Sequence, residues 1–434
     1  MSTIGIRIED KYKMEKRVAI IPKHITQFKS NTIKFLVESS KKRVFSDEDF
    51  KAAGAKIVTD LKEASIIFGV KEMPINFFEE RKTYLFFSHT IKGQEYNMPL
   101  LRSMVDKKIN LIEYERITDD SGKRLIFFGR YAGLAGMINS FWSYGQRCSV
   151  LGIDTPFSNL KQSHKYSSLE DAKNDLKKVA SFIASNGIPE ELSPLTIGIT
   201  GYGNVSKGAQ EIIDLFVNKE ISPKELLELR KSNNYDNKTI YKIVFKEHHL
   251  STPIDDKDTF ELQHYYNHPE KYKNDFEKYV SEISILMNCM YWGPEYPRII
   301  TKDFLSNLFL NKENKLMIIG DVTCDPDGSI EATHMGTYIE DPVFVYNPQT
   351  RKPKMGFKGE GLLIMAVDIL PSELPREASE GFSDALAPFI IDLTKTDFNK
   401  SFNELELPAP FKRALILHNG EFTPDYKYME EFNF

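Results

Sequence analysis

Four stretches of this sequence bring ionisable side chains to the end of a strand-forming run or just beyond it. "TYLFFSHTIK" (83–92) runs from apolar and β-branched residues into Ser88, His89 and Lys92, and "GVKEMP" (69–74) sets Lys71 beside Glu72. "INLIEYE" (109–115) closes on Glu115, and "MEKRVAIIP" (14–22) supplies Glu15 and Arg17 after the first strand. An imidazole titrates near neutrality, and neighbouring ammonium and carboxylate groups shift one another's pKa; such groups perform general acid–base catalysis. Singly, each is an ordinary polar residue where a strand gives way to a loop. Together they bring ionisable groups from separate strands to one sheet edge, and open parallel sheets bind ligands at the carboxyl ends of their strands.

A second pattern concerns phosphate. "LTIGI" (195–199) leads through "TGYGNVSKGA" (200–209) into the helical "AQEIIDLF" (209–216). Gly201 and Gly203 between a strand and a helix read as a dinucleotide loop, with close backbone approach to a pyrophosphate at the helix N-terminus. Ser206 stands where the third glycine of the pattern would fall, with Gly208 beyond it. In NAD-selective loops an acid for the ribose follows about 20 residues later. That zone is "NKEISPKEL" (218–226), where Glu220 suits a free ribose and Ser222 and Lys224 suit a 2′-phosphate. The reading favours NADP and leaves NAD open. Asp321, in "GDVTCDPDGSIE" (320–331), ends a further apolar run, where a cofactor ribose or a substrate would be met. His248, His249, His264 and His268 match no common zinc spacing, and no metal is expected.

These groups need a scaffold. The runs 3–9, 33–39, 65–70, 83–89 and 109–115 are nearly continuous in apolar residues, as strands buried on both faces are, so the expected fold is α/β with parallel sheets. A second α/β region opens at 195, with further strands over 283–290 and 315–322. Residues 225–280 are polar and poorly periodic, and read as an insertion. The small-residue stretch 128–147 reads equally as a helix crossing between domains or as one tightly packed within a domain. The 434 residues suit two or three domains, and 41% hydrophobic content suffices for more than one core. A net charge of −5 with interspersed signs argues against nucleic acid or anionic membrane as a partner. Three widely spaced cysteines form no disulfide framework, and the opening residues enter a strand with no signal peptide. No apolar run nears the roughly 20 residues that span a bilayer. The expected location is cytoplasmic.

"MEKRVAIIP", "GVKEMP", "FFSHTIK", "GKRLIFFGRYAGLAGMIN", "TGYGNVSKGAQ", "NCMYW", "GDVTCDPDGSIE" and "DILPSELPREASEGFSDAL" together resemble the lysine–2-oxoglutarate reductase half of the aminoadipic semialdehyde synthases. More distantly, they are similar to lysine-forming saccharopine dehydrogenases and alanine dehydrogenases. The resemblance implies two Rossmann-like domains with the active site in the cleft between them. The substrate domain would be discontinuous, 1–140 plus 370–434, and the dinucleotide-binding domain would span 141–369. The implied reaction is the reversible reductive condensation of lysine with 2-oxoglutarate to saccharopine, using NAD(P)H. By the same resemblance Lys71 and His89 are an acid–base pair tuned by Glu72 and Glu115. Arg17, Lys92 and Arg124 hold substrate carboxylates. Gly201, Gly203, Asn204 and Val205 form the pyrophosphate loop, and Asp321 is an acid near the nicotinamide. Two alternatives are an alanine dehydrogenase-like or opine-type enzyme acting on another amine and keto acid, and a silent NAD(P)-sensing module. Oligomeric state is not readable from the sequence.

Overall fold

A computed structural model describes residues 2–29, 33–310 and 314–432. The chain forms two compact units, one of residues 1–128 and 375–434, the other of residues 129–374. The division falls where the helix Gly129–Val150 begins, not at 140 inside it, so the whole helix belongs to the second unit.

The first unit is built on strands β1 (Thr3–Ile6), β2 (Lys34–Glu38), β3 (Lys56–Val58), β4 (Ile66–Phe68), β5 (Thr83–Phe86) and β6 (Asn110–Glu113). Their order is β3-β2-β1-β4-β5-β6, all parallel, and Leu415–His418 and Glu421–Phe422 add two antiparallel strands beyond β6. The chain moves from β1 outward to β3, then restarts at β4 on the other side of β1. This reversal is a topological switch point, where the connections diverge and leave a crevice. The inner strands β4, β5 and β6 are buried at every residue, which accounts for their unbroken apolar runs. The helix Pro375–Lys395 returns to this unit and stacks Phe382 on Phe128, ring centroids 4.5 Å apart.

The second unit contains β7 (Thr196–Thr200), β8 (Asn218–Glu220), β9 (Ile240–Phe245), β10 (Ser251–Pro253), β11 (Tyr272–Asn274), β12 (Ile285–Asn288), β13 (Ile318–Asp321), β14 (Val343–Asn347), β15 (Lys352–Met355) and β16 (Leu362–Met365). Its main sheet runs β8-β9-β7-β12-β13-β16-β14-β15, parallel as far as β16, with β14 and β15 antiparallel. Here the insertion expected over 225–280 needs correction. Within it lies β9, a core strand paired along its length with β7. Lys242 disguised the strand: its ammonium is buried and compensated by Asp214 at 3.2 Å and Glu220 at 3.4 Å. The true excursion is shorter, the antiparallel pair β10–β11 with the helix Leu262–Asn267 between them.

The small residues of 128–147 serve a contact inside the second unit. The helix Gly129–Val150 crosses the helix Asn204–Ile213 so closely that a Cβ on Gly133 would lie 1.9 Å from the Val205 carbonyl oxygen. A Cβ on Gly208 would meet the Arg130 carbonyl at 2.1 Å. Gly208, rather than a glycine at 206, thus provides the close packing of the fingerprint helix.

Candidate active site

In the first unit, β4 and β5 lie side by side and release their chains at the same edge. β4 leads to Lys71 and Glu72, β5 to Ser88 and His89. His89 Nδ1 is 2.8 Å from Glu72 Oε1, and Lys11 Nζ reaches the same oxygen at 2.6 Å. Burial opposes the charge on Glu72, but the bonds and charges of His89 and Lys11 outweigh it and hold the carboxyl at about 2. Glu72 is therefore ionised, and His89 presents Nδ1 to it and keeps Nε2 for another partner. The imidazole is 28% exposed, enough for a ligand to reach it. His89 adopts φ 51°, the left-handed region a non-glycine residue occupies only under constraint. Asn97 supplies one constraint, its side-chain amide donating to the His89 carbonyl at 3.0 Å. The Tyr12 ring lies beside two ammonium groups, Lys11 Nζ at 5.4 Å and Lys71 Nζ at 5.8 Å.

Two buried carboxylates flank this pair. Glu9, past the end of β1, accepts the N–H of Val70 at 2.7 Å and of Lys71 at 2.9 Å. Glu113, the last residue of β6, accepts the N–H of Ser88 at 2.7 Å and that of Glu115 at 3.1 Å, and also takes a short bond from the Ser88 hydroxyl. Burial lifts both carboxyls to about 7; the charge of Glu15 adds to the effect at Glu9, that of Glu115 at Glu113.

The expected cations are placed differently from one another. Arg17 is buried and grips Glu15 through Nε at 2.8 Å and Nη2 at 2.5 Å, with its guanidinium 4.2 Å from the Phe128 ring centroid. Arg124 is half exposed and lies 3.7 Å from Glu115. Glu115 is thus brought to Arg124, while Glu72 carries the contact with His89. Lys92 lies on an exposed turn after Thr90.

In the second unit, β7 ends in the glycine turn. Gly201 has φ +80°, and Gly203 caps the helix Asn204–Ile213, where Asn204 and Val205 form the first turn. A Cβ added to Gly203 would meet nothing within 4 Å, so the chain keeps open space there. A pocket of about 300 Å³ adjoins the turn, lined by Gly201, Gly203, Phe245, Glu247, Tyr266 and Met290 among others. Glu247 follows β9, the neighbour of β7, and its Oε1 accepts the hydroxyls of Tyr202 at 3.2 Å and Tyr266 at 2.8 Å. This is the position from which a second strand presents its acid to a ribose.

The residues expected there from sequence lie one strand further out. Ser222 caps the helix Pro223–Leu229 through a reciprocal bond with Glu225, Lys224 is an exposed residue of that helix, and Glu220 faces Lys242. Asp321 is also corrected: it is buried, with one oxygen taking the hydroxyl of Thr323 at 2.6 Å and the amide of Asn288 at 2.9 Å. The other takes Thr333 at 2.6 Å. It ties together the ends of β12 and β13. A larger cavity, about 760 Å³, lies along the helix Leu169–Asn186; its charged lining includes Asp175, bonded to Lys178 at 2.9 Å, and it gathers no acid–base set.

Residues 5–135 match the family described as alanine dehydrogenase/PNT, N-terminal domain. The chain is 37% identical, over 98% of its length, to the α-aminoadipic semialdehyde synthase of Arabidopsis thaliana. It is 27% identical to the NAD(+), L-lysine-forming saccharopine dehydrogenase of Candida albicans, covering 91% of this chain and 92% of that one. The chain is similar to both of these groups of proteins. It spans less than half the length of the first, 41% of the Arabidopsis protein and 47% of the mouse one. In fold it matches an L-alanine dehydrogenase with a TM-score of 0.59 at 16% identity, over 99% of both chains. The two mostly parallel eight-stranded sheets are those of that two-domain Rossmann-like architecture.

Relatedness to the semialdehyde synthases does not by itself reveal Glu9, Lys11, Glu113 or Glu247, which the sequence reading passed over. Glu9 stood at the end of "TIGIRIE", where the strand-end rule should have placed it; Glu113 was hidden inside an apolar run. Glu247 became visible only once β9 was recognised as the strand beside β7.

Proposed function

We propose that this chain catalyses the reversible reductive condensation of lysine with 2-oxoglutarate to saccharopine, with a nicotinamide dinucleotide as redox partner. The observation that carries this reading is the convergence of Lys71, Glu72 and His89 from adjacent strands on one edge, with Glu72 ionised against His89 Nδ1. The residues at the glycine turn fit a dinucleotide: Gly201 turns the chain, Gly203 leaves room, and the helix Asn204–Ile213 offers its first N–H groups to a pyrophosphate. When bound, the cofactor supplies the hydride.

The protein's own groups manage protons and charge. The ε-amine of lysine, pKa about 10.4 in water, attacks a ketone only after losing a proton. Glu72 fixes the imidazole by Nδ1, so His89 Nε2 can take that proton and return it when water leaves the carbinolamine. Lys71 acts as the second proton carrier on the neighbouring strand. Arg17, whose Nη1 is not used by Glu15, offers one edge to a substrate carboxylate, and Lys92 and Arg124 complete the set of cations. On the side of the cofactor, Glu247 would oppose a 2′-phosphate and accept ribose hydroxyls, so we favour NAD over NADP, against the reading from Ser222 and Lys224. Three free cysteines fit the cytoplasm, although the mouse relative is named as mitochondrial.

Initial rates of reduced-nicotinamide loss, with lysine and 2-oxoglutarate each omitted in turn, test the reading. Turnover that needs both substrates and runs faster with NADH is expected. Turnover with pyruvate and ammonia instead would move the chain to the alanine dehydrogenase-like alternative. Cofactor binding without turnover on any pair would make it a sensor.

A further inference from the structure

The active edge of the first unit has a symmetry that its catalytic residues do not explain. Along the sheet the order is β1, β4, β5, β6. The inner strands carry the proposed acid–base residues, and each outer strand ends in a buried carboxylate aimed at the turn beside it. Both oxygens of Glu9 accept backbone N–H groups, those of Val70 and Lys71. Glu113 takes the Ser88 N–H and hydroxyl with one oxygen and with the other caps its own chain at Glu115. Glu9 is 5% exposed and Glu113 0%, and both commit their oxygens to main-chain N–H groups.

We infer that Glu9 and Glu113 are paired positioning residues, each gripping from a flanking strand the turn that aims Lys71 and Glu72, or His89. Three observations support this. First, the grip is on main chain, so it fixes where the next side chain starts. Second, His89 holds a left-handed backbone, and such a conformation persists only when the surroundings over-determine it. Glu113 secures the residue before it, and Asn97 secures its carbonyl. Third, Tyr114 ties the two grips together: its hydroxyl donates to the Gly69 carbonyl at 3.0 Å, just before the residues held by Glu9, and it follows Glu113 directly in sequence. A hydrophobic or amide side chain would fill the same space. Only a carboxyl group presents an oxygen on both sides; glutamine turns an NH2 toward one of the N–H donors.

The inference rests on the acid–base reading of Lys71 and His89, and its test separates the two. The His89 ring is titrated by NMR in the wild-type chain and in Glu9→Gln, Glu113→Gln and Glu373→Gln, alongside steady-state rates with lysine, 2-oxoglutarate and NADH. Glu373→Gln alters a buried carboxylate of the second unit and serves as control. In Glu113→Gln and Glu9→Gln the imidazole and Glu72 lose register, so the His89 midpoint falls by about 0.5 or more. Over the same change kcat drops about tenfold or more, with cofactor affinity unchanged. The control leaves the midpoint where it was. Folded Glu9→Gln and Glu113→Gln proteins with the wild-type midpoint and kcat would overturn the inference. If the wild-type chain does not turn over these substrates, the functional reading fails while the His89 midpoints still decide the positioning claim. Should Glu113→Gln not fold, Ser88→Ala removes only the hydroxyl donor. A smaller shift in the same direction is expected from it, and no shift counts against the grip.

Discussion

His89 has one ring nitrogen committed and one available, and this division gives the imidazole a direction. Replacing it by alanine removes the proposed proton carrier but no part of the glycine turn. We expect kcat to fall by about 10²–10⁴, the usual range for a general acid–base group, with cofactor binding unchanged in a direct titration. A large loss of cofactor affinity would contradict the assignment. Glu247 is proposed to act through its charge on the cofactor ribose. Glu247→Ser removes the carboxylate that would oppose a 2′-phosphate, so the ratio of kcat/KM for NADH over NADPH should fall by about tenfold or more, equivalent to ~1.4 kcal/mol. An unchanged ratio would take Glu247 out of the ribose site.

At the scale of elements, glycines with different duties can be told apart. Gly133 and Gly208 let two helices touch, and an added Cβ would press on a carbonyl oxygen at 1.9 Å or 2.1 Å. Gly133→Ala or Gly208→Ala should cost about 1–3 kcal/mol, as overpacking does, read by chemical denaturation. Gly203→Ala meets nothing within 4 Å, and its φ of −78° is open to any residue. It should leave stability intact and weaken cofactor binding about tenfold, because the methyl occupies the space a pyrophosphate would use. Unchanged cofactor binding in Gly203→Ala would mean that the open space there is of no consequence for a ligand.

For the molecule as a whole, buried carboxylates of the first unit give stability opposing dependences on pH. Glu72 titrates at about 2 in the folded chain against a reference of 4.5, so its contribution is present above about 4.5 and is lost as pH falls toward 2. Glu9 titrates at about 7, above the same reference. Its protonated form favours the folded state, and that contribution is lost as pH rises from about 4.5 through 7. At ~1.4 kcal/mol per pKa unit the Glu9 effect is on the order of 3 kcal/mol. Glu9→Gln should therefore flatten the decline in unfolding free energy between pH 5 and 7.5; an equally steep decline would show that Glu9 does not titrate in that window.

The division between what sequence and structure each contributed follows from the range of the forces involved. Strand runs buried on both faces, the glycine turn between strand and helix, and ionisable residues at strand ends are local patterns. With the resemblance to the semialdehyde synthases they led to an α/β fold of two mostly parallel sheets and to the proposal of a nicotinamide-dependent oxidoreductase of lysine metabolism. β9 escaped because a single buried lysine breaks its apolar run, and only tertiary structure reveals that Asp214 and Glu220 neutralise that charge. Without β9 the sequence points to an acid near 220, whereas the structure makes Glu247 the candidate beside the glycine turn. The burial of Asp321 cannot be read from sequence; one of its partners, Asn288, lies 33 positions away at the end of β12. The partnership of Glu72 with both Lys11 and His89, and the grips of Glu9 and Glu113, join residues up to 62 positions apart. Strand order alone brings them together, and strand order is set by the packing of the whole sheet.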